Sequence, residues 1–164
     1  MSEIPPPSLE QQAVLDAVQN GLNVIVNSVA GSGKTTTALL LARSNPTKKM
    51  LILTYNSRLK SETRVRVETC GLSNLEVHSY HAMGVKYYSE NCFRDEGLRC
   101  ALQTSPRKPL PAYDIIIIDE AQDMTSLLYQ FTCKVLSNLT VYPQLVVVGD
   151  VNQSIYVFKL ADPR

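Results

Sequence analysis

No run of apolar residues in the 164-residue chain comes near the ~20 needed to span a bilayer, so no candidate membrane helix is visible. The opening MSEIPPPSLEQQ lacks both a basic start and an apolar stretch, and does not read as a secretory signal. Cys70, Cys92, Cys100 and Cys133 form no C-x-x-C pair, which gives no support to a zinc site or a redox motif. The expectation is reduced thiols in an intracellular protein, with nothing to separate cytoplasm from nucleus. Net charge is close to balanced, at +1, and neither points to nor excludes a polyanionic partner. A local basic cluster, Arg58, Lys60, Arg64 and Arg66 in RLKSETRVR, reads mainly as a solvated helix face. Internal repeats and low-complexity tracts are missing too. A composition of 45% hydrophobic and 19% charged residues is that of a globular chain, and the length suits one domain with a useful core.

What is present is an alternation. Three prolines in IPPPS forbid helix, and Ser8 then offers an N-cap to LEQQAVLDAVQNG, which stops at Gly21. LNVIVNS, KMLILTYN, NLEVHSY, YDIIIIDE and YPQLVVVGD read as short buried strands. Between them TTALLLARSN, SRLKSETRVRVETCG, HAMGVKYYSENC and MTSLLYQFTCKVLSNL read as helices, the second with a serine start and a glycine stop. From about Phe93 to Pro111 the pattern fails, and SPRKPLPAYD reads as a loop. Strands apolar on both faces and alternating with helices predict an α/β fold with a parallel sheet covered on both faces. Such sheets bind ligands at the carboxyl ends of their strands. The polar clusters all follow strands: Ser28 to Thr36, Thr54 to Ser57, His78 to His81, Asp119 to Asp123, and Gly149 to Tyr156. Five clusters should gather on one edge.

SVAGSGKTT sits between a strand and a helix, the context a P-loop requires. Backbone N–H groups across Ser28, Val29, Ala30, Gly31, Ser32, Gly33, Lys34, Thr35 and Thr36 can wrap the phosphates of ATP, helped by the helix dipole. Lys34 would reach the β- and γ-phosphates, and Thr35 would place its hydroxyl on Mg²⁺. Ser28 stands where the strict pattern has glycine. In IIIIDEAQD, Asp119 emerges at a strand end, placed to hold Mg²⁺, and Glu120 follows, placed to orient or deprotonate the attacking water. The plainer reading makes Asp119 or Asp123 the N-cap of the next helix; for Asp123 the two readings are evenly matched.

AGSGKTT, DEAQD and GDVNQSIYVF, in this order, resemble superfamily 1 DNA helicases of the UvrD/Rep type. The resemblance implies a RecA-like ATP-binding domain that couples ATP hydrolysis to binding and translocation on single-stranded DNA, with 3′ to 5′ polarity. EQQAV resembles the Q motif, whose glutamine reads the adenine edge; Gln11 follows the glutamate as in the motif, and Gln12 is the alternative. LTYNSRL resembles motif Ia and VHSYHAMG the family's Thr-Phe-His-Ser segment of motif Ib, which carries backbone contacts to single-stranded DNA over to Thr54, Asn56, Ser79 and His81. The last motif implies that Gln153 senses the γ-phosphate with support from Asp150, and that Tyr156 and Phe158 lie where the family stacks bases. Leu160 departs from a glycine common in the family.

The resemblance runs from about Leu9 to Ala161 and covers the first half of such a motor. On this reading residues 1–164 are a single RecA-like domain, with 1–8 a leader and 85–112 a reduced insertion. The second motor domain, with its arginines, is expected from a partner in cis or in trans, and the domain by itself is expected to turn ATP over slowly and not to unwind a duplex. The alternative from a different class is a nucleotide-binding or regulatory module without motor activity.

Overall fold

The computed structural model describes residues 3–27 and 34–150. The elements run α1 (Leu9–Gln19), β1 (Val24–Asn27), α2 (Lys34–Ser44), β2 (Met50–Thr54), α3 (Ser57–Thr69), β3 (Leu75–Ser79), α4 (Tyr80–Tyr87), α5 (Asp95–Ala101), β4 (Ile115–Ile118), α6 (Ser126–Ser137) and β5 (Gln144–Gly149). Short 3₁₀ turns occupy Glu90–Phe93 and Ala121–Asp123. The strands form one sheet in the order β1-β5-β4-β2-β3, and every neighbouring pair is parallel. This is the expected α/β fold, an all-parallel sheet with helices on both faces.

The register explains why the inner strands β2, β4 and β5 are almost entirely apolar. Met50 sits beside Ile115, and Ile115 beside Gln144, so these positions and every second residue from them share a face across the sheet. Met50, Ile52, Ile115, Ile117, Val146 and Val148 pack with Val14 and Val18 of α1, Leu39 and Leu41 of α2, and Val67 of α3. Leu51, Leu53, Ile116, Ile118, Leu145 and Val147 pack with Tyr80 and Met83 of α4, Leu98 of α5, and Phe131 and Val135 of α6. Three helices therefore cover each face, and each fully buried isoleucine or leucine contributes roughly 1.5–3 kcal/mol of apolar burial. Helix α2 is buried without interruption from Thr37 to Ala42, because it lies on the sheet and also meets α1.

Helix starts follow local capping chemistry. Ser8 and Gln11 form a reciprocal capping box at α1. Asn56 caps α3, so Ser57 is its first residue rather than its cap. Thr125 caps α6 through Leu128 N–H at 3.2 Å, which removes that role from both Asp119 and Asp123. The loop expected from Phe93 to Pro111 instead contains α5. Gly97 in that helix lies so close to the Glu90–Phe93 turn that a Cβ would stand 1.9 Å from Asn91 O.

Candidate nucleotide site

The four isoleucines of β4 end at Asp119, whose N–H donates to Leu53 O at 2.9 Å and carries the ladder one bond past the strand. Asp119 lines a cavity of about 10 Å³ together with Lys34, Thr35, Ala38, Ile52, Thr63, Ile117 and Val148. Burial, and then the charge of Glu120, push the Asp119 carboxyl up to about 6. The Glu120 N–H on Oδ1, at 2.9 Å, and the Lys34 charge oppose this without cancelling it.

Glu120 is the one non-glycine residue among the described residues with positive φ, at φ 52 and ψ 45. L-residues avoid this left-handed region, so the turn after β4 is held there by its surroundings. The carboxylate meets Lys34 Nζ at 3.3 Å from Oε1 and 3.2 Å from Oε2, across 86 residues of chain. The two side chains are 10% and 26% exposed, so this ion pair is more shielded than a surface one.

Gln122 is a further site residue that sequence reasoning passed over. Its Nε2 donates to Glu120 Oε2, and its Oε1 accepts from Asp150 N–H at 3.2 Å. A single amide thus ties the end of β4 to the end of β5. Gly149 permits the approach, since a Cβ there would stand 2.6 Å from Gln122 Oε1. The signal was present in DEAQD, where an amide able both to donate and to accept follows the acidic pair.

The donor set suits a hard divalent cation. It offers an under-compensated buried carboxylate at Asp119 and a threonine hydroxyl at Thr35. Thr54, at the end of β2, buries Oγ1 with no hydrogen-bond partner among the described residues. No cluster of three His, Cys, Asp or Glu side chains among the described residues is arranged to cage an ion alone. Sparse protein ligation of this kind is usual where phosphates and waters complete a Mg²⁺ shell.

The other predicted residues are placed as follows. Thr36 accepts from Arg66 Nη2 at 3.3 Å. Gln11 Oε1 accepts from Ser8 N–H at 3.0 Å, and Gln12 Nε2 donates to Asp16 at 2.9 Å. Thr54 and Ser79 stand side by side at the ends of β2 and β3. Both are buried, and Ser79 Oγ accepts from Ala82 N–H as the cap of α4. Asn56 Oδ1 accepts from Arg58 N–H at 2.8 Å, and His81 Nε2 lies 2.8 Å from Asp95 Oδ1. Lys34, Thr35, Asp119 and Glu120 come together; Thr54 and Ser79 end the neighbouring strands β2 and β3, and Asn56 and His81 follow two residues later, on the same edge of the sheet. Ser28, Val29, Ala30, Gly31, Ser32, Gly33, Gln153, Tyr156 and Phe158 lie outside the described residues.

A family model described as an AAA domain matches residues 10–159, nearly the whole chain. The chain belongs to this family, that of the UvrD/Rep-type helicases. A 52-residue stretch is 41% identical to a subunit of the ATP-dependent helicase/nuclease of Natranaerobius thermophilus. That stretch is 32% of this chain and 4% of the relative, so the chain spans a small part of the protein it matches. Membership of the UvrD/Rep-type family makes this a helicase-like ATP-binding domain. Among the described residues no helix is long and apolar enough to cross a membrane.

Proposed function

We propose that the chain binds Mg-ATP at the carboxyl edge of its sheet and hydrolyses it as the first motor domain of a DNA helicase that moves along single-stranded DNA in the 3′ to 5′ direction. The observation that carries this reading is the meeting of Lys34 and Glu120 beside Asp119 and Thr35. A lysine at the start of α2, a buried carboxylate ending β4 and a second carboxylate one residue on are what phosphoryl hydrolysis needs at one point.

In this reading Lys34 leaves Glu120 and binds the β- and γ-phosphate oxygens at the positive end of α2. Thr35 and Asp119 would hold Mg²⁺, which when bound neutralises phosphate charge. Once Lys34 has moved, Glu120 orients the attacking water and accepts its proton. Gln122 holds Glu120 in place and connects it to Asp150, three residues before Gln153 in the sequence. Gln11 would read the adenine. Thr54, Asn56, Ser79 and His81 would border the DNA path, with Tyr156 and Phe158 supplying base stacking. A second motor domain would supply the facing wall of the ATP cleft.

The test is titration of a fluorescent ATP analogue with Mg²⁺ against the wild type, Lys34→Ala and Glu120→Gln. Losing a charge-assisted contact of about 1.5–3 kcal/mol weakens binding by about ten- to a hundredfold in Lys34→Ala. Glu120→Gln should bind the analogue at least as well, because Lys34 loses its competing carboxylate, while hydrolysis with or without single-stranded DNA disappears. Unchanged affinity in Lys34→Ala would overturn the reading.

A further inference from the structure

A cavity of about 610 Å³ lies away from the nucleotide site, at the free edge of the sheet. It is lined by Arg64, Val67 and Leu72 on one side of β3 and by Glu76, His78 and Lys86 on the other. Its volume is in the range of ligand sites, and it straddles the edge strand.

The backbone of β3 alternates. Met50 N–H donates to Asn74 O at 2.8 Å, so Asn74, Glu76 and His78 turn their peptide groups towards β2. Leu75 and Val77 turn theirs outward, where β3 has no neighbouring strand among the described residues. One outward group is covered by a side chain. Arg64 of α3 reaches over the edge, donates from Nε to Val77 O at 2.8 Å, and places Nη2 3.0 Å from His78 Nδ1. Charged side chains are a common cover for exposed strand edges.

The charges around the edge are unbalanced. Glu76 is already engaged, by Lys49 at 3.2 Å and by the Tyr113 hydroxyl at 2.6 Å. Neither Arg64 nor Lys86 has a carboxylate within ion-pair distance among the described residues. Glu68 is the other acid on the lining. The cations also act on His78, which burial, then Lys86 and Arg64, hold below the usual histidine range despite the nearby Glu76. Beneath Arg64 the wall of the cavity is apolar, with half-buried Leu72 backed by the buried side chains of Val67, Leu75 and Val77.

We propose that the edge of β3 accepts an extended peptide from a partner protein, one that alternates apolar and acidic side chains, as an added strand. Peptide N–H and C=O groups pair with Leu75 and Val77, and one N–H takes over Val77 O from Arg64. Alternate side chains then fall on opposite faces of the edge. The apolar set lies against this wall at Leu72, and the acidic set meets the released Arg64 guanidinium and Lys86. Arg64 thus covers the edge when it is empty and selects a carboxylate when it is filled.

The test pans the chain against a random dodecapeptide phage library, with Arg64→Glu protein as the decoy. Synthetic peptides of the selected sequence are then measured by fluorescence anisotropy and mapped by amide NMR shifts. The expected result is an alternating apolar and acidic consensus whose shifts centre on Leu75 to Ser79. Binding should fall about tenfold or more in Arg64→Glu. N-methylation of one alternate set of peptide amides should abolish binding, while methylation of the other set leaves it intact. Equal sensitivity to both sets, no enrichment over the decoy, or sedimentation showing that β3 instead pairs two copies of this chain would each overturn the proposal.

Discussion

With its carboxyl buried at the end of β4 and raised from 3.8 to about 6, Asp119 holds a proton more tightly in the folded chain than in the unfolded one. Its contribution to stability is complete below the unfolded value and is lost as pH rises through the folded value. Asp119→Asn keeps the shape and removes the charge. Without ligand, this variant should be more stable than wild type by about 1–3 kcal/mol at pH 8, and the gain should vanish near pH 4. Urea denaturation at the two pH values measures this, and equal stability at pH 8 would contradict the burial. The position of Asp119 and Glu120 was legible in the sequence because two acids directly follow a four-isoleucine run that could only be a buried strand. Gln122 left a signal in DEAQD but not its partners, and Arg64 left none. The amide acts through a glycine on a different strand, and Arg64 differs from its basic neighbours only in lying over an edge whose position depends on the whole sheet.

At the level of elements, the strands were readable because each is a short, mostly apolar run, with β2, β4 and β5 buried on both faces, and the helix starts because capping is local. Helix α5 was hidden by its composition. It is seven residues long, has Gly97 as its third residue and runs into a proline-rich stretch, so propensity argues against it. Tertiary packing decides the matter. Leu98 is fully buried among α4 and α6 residues, and Gly97 lies against the preceding 3₁₀ turn. Gly97→Ala would raise intrinsic helix propensity yet force a methyl group into Asn91 O. The steric effect should win, with a net loss of about 1–3 kcal/mol in thermal or urea unfolding. A gain in stability would mean that the turn and helix separate easily.

Across the whole molecule, two apolar layers share one sheet, so neither can come apart without exposing the other. The inner strands β4 and β5 have a strand on each side and almost no accessible surface. Their amides, together with those of β2, should exchange with solvent only through global unfolding, while α5 exchanges through local openings. Native-state hydrogen exchange checks this, and rapid exchange in Ile115–Ile118 would show that the layers open independently. The strand order also bears on how the protein is made. Among the described residues the last strand in sequence, β5, does not add to the outside; it slots between β1 and β4. A ribosome releasing this chain from its N-terminus therefore presents β1 long before the neighbour it needs. The gap between β1 and β4 closes once residues 144–149 have emerged, so β1 must wait, exposed to chaperones and to mispairing, for most of the time the domain takes to be synthesised.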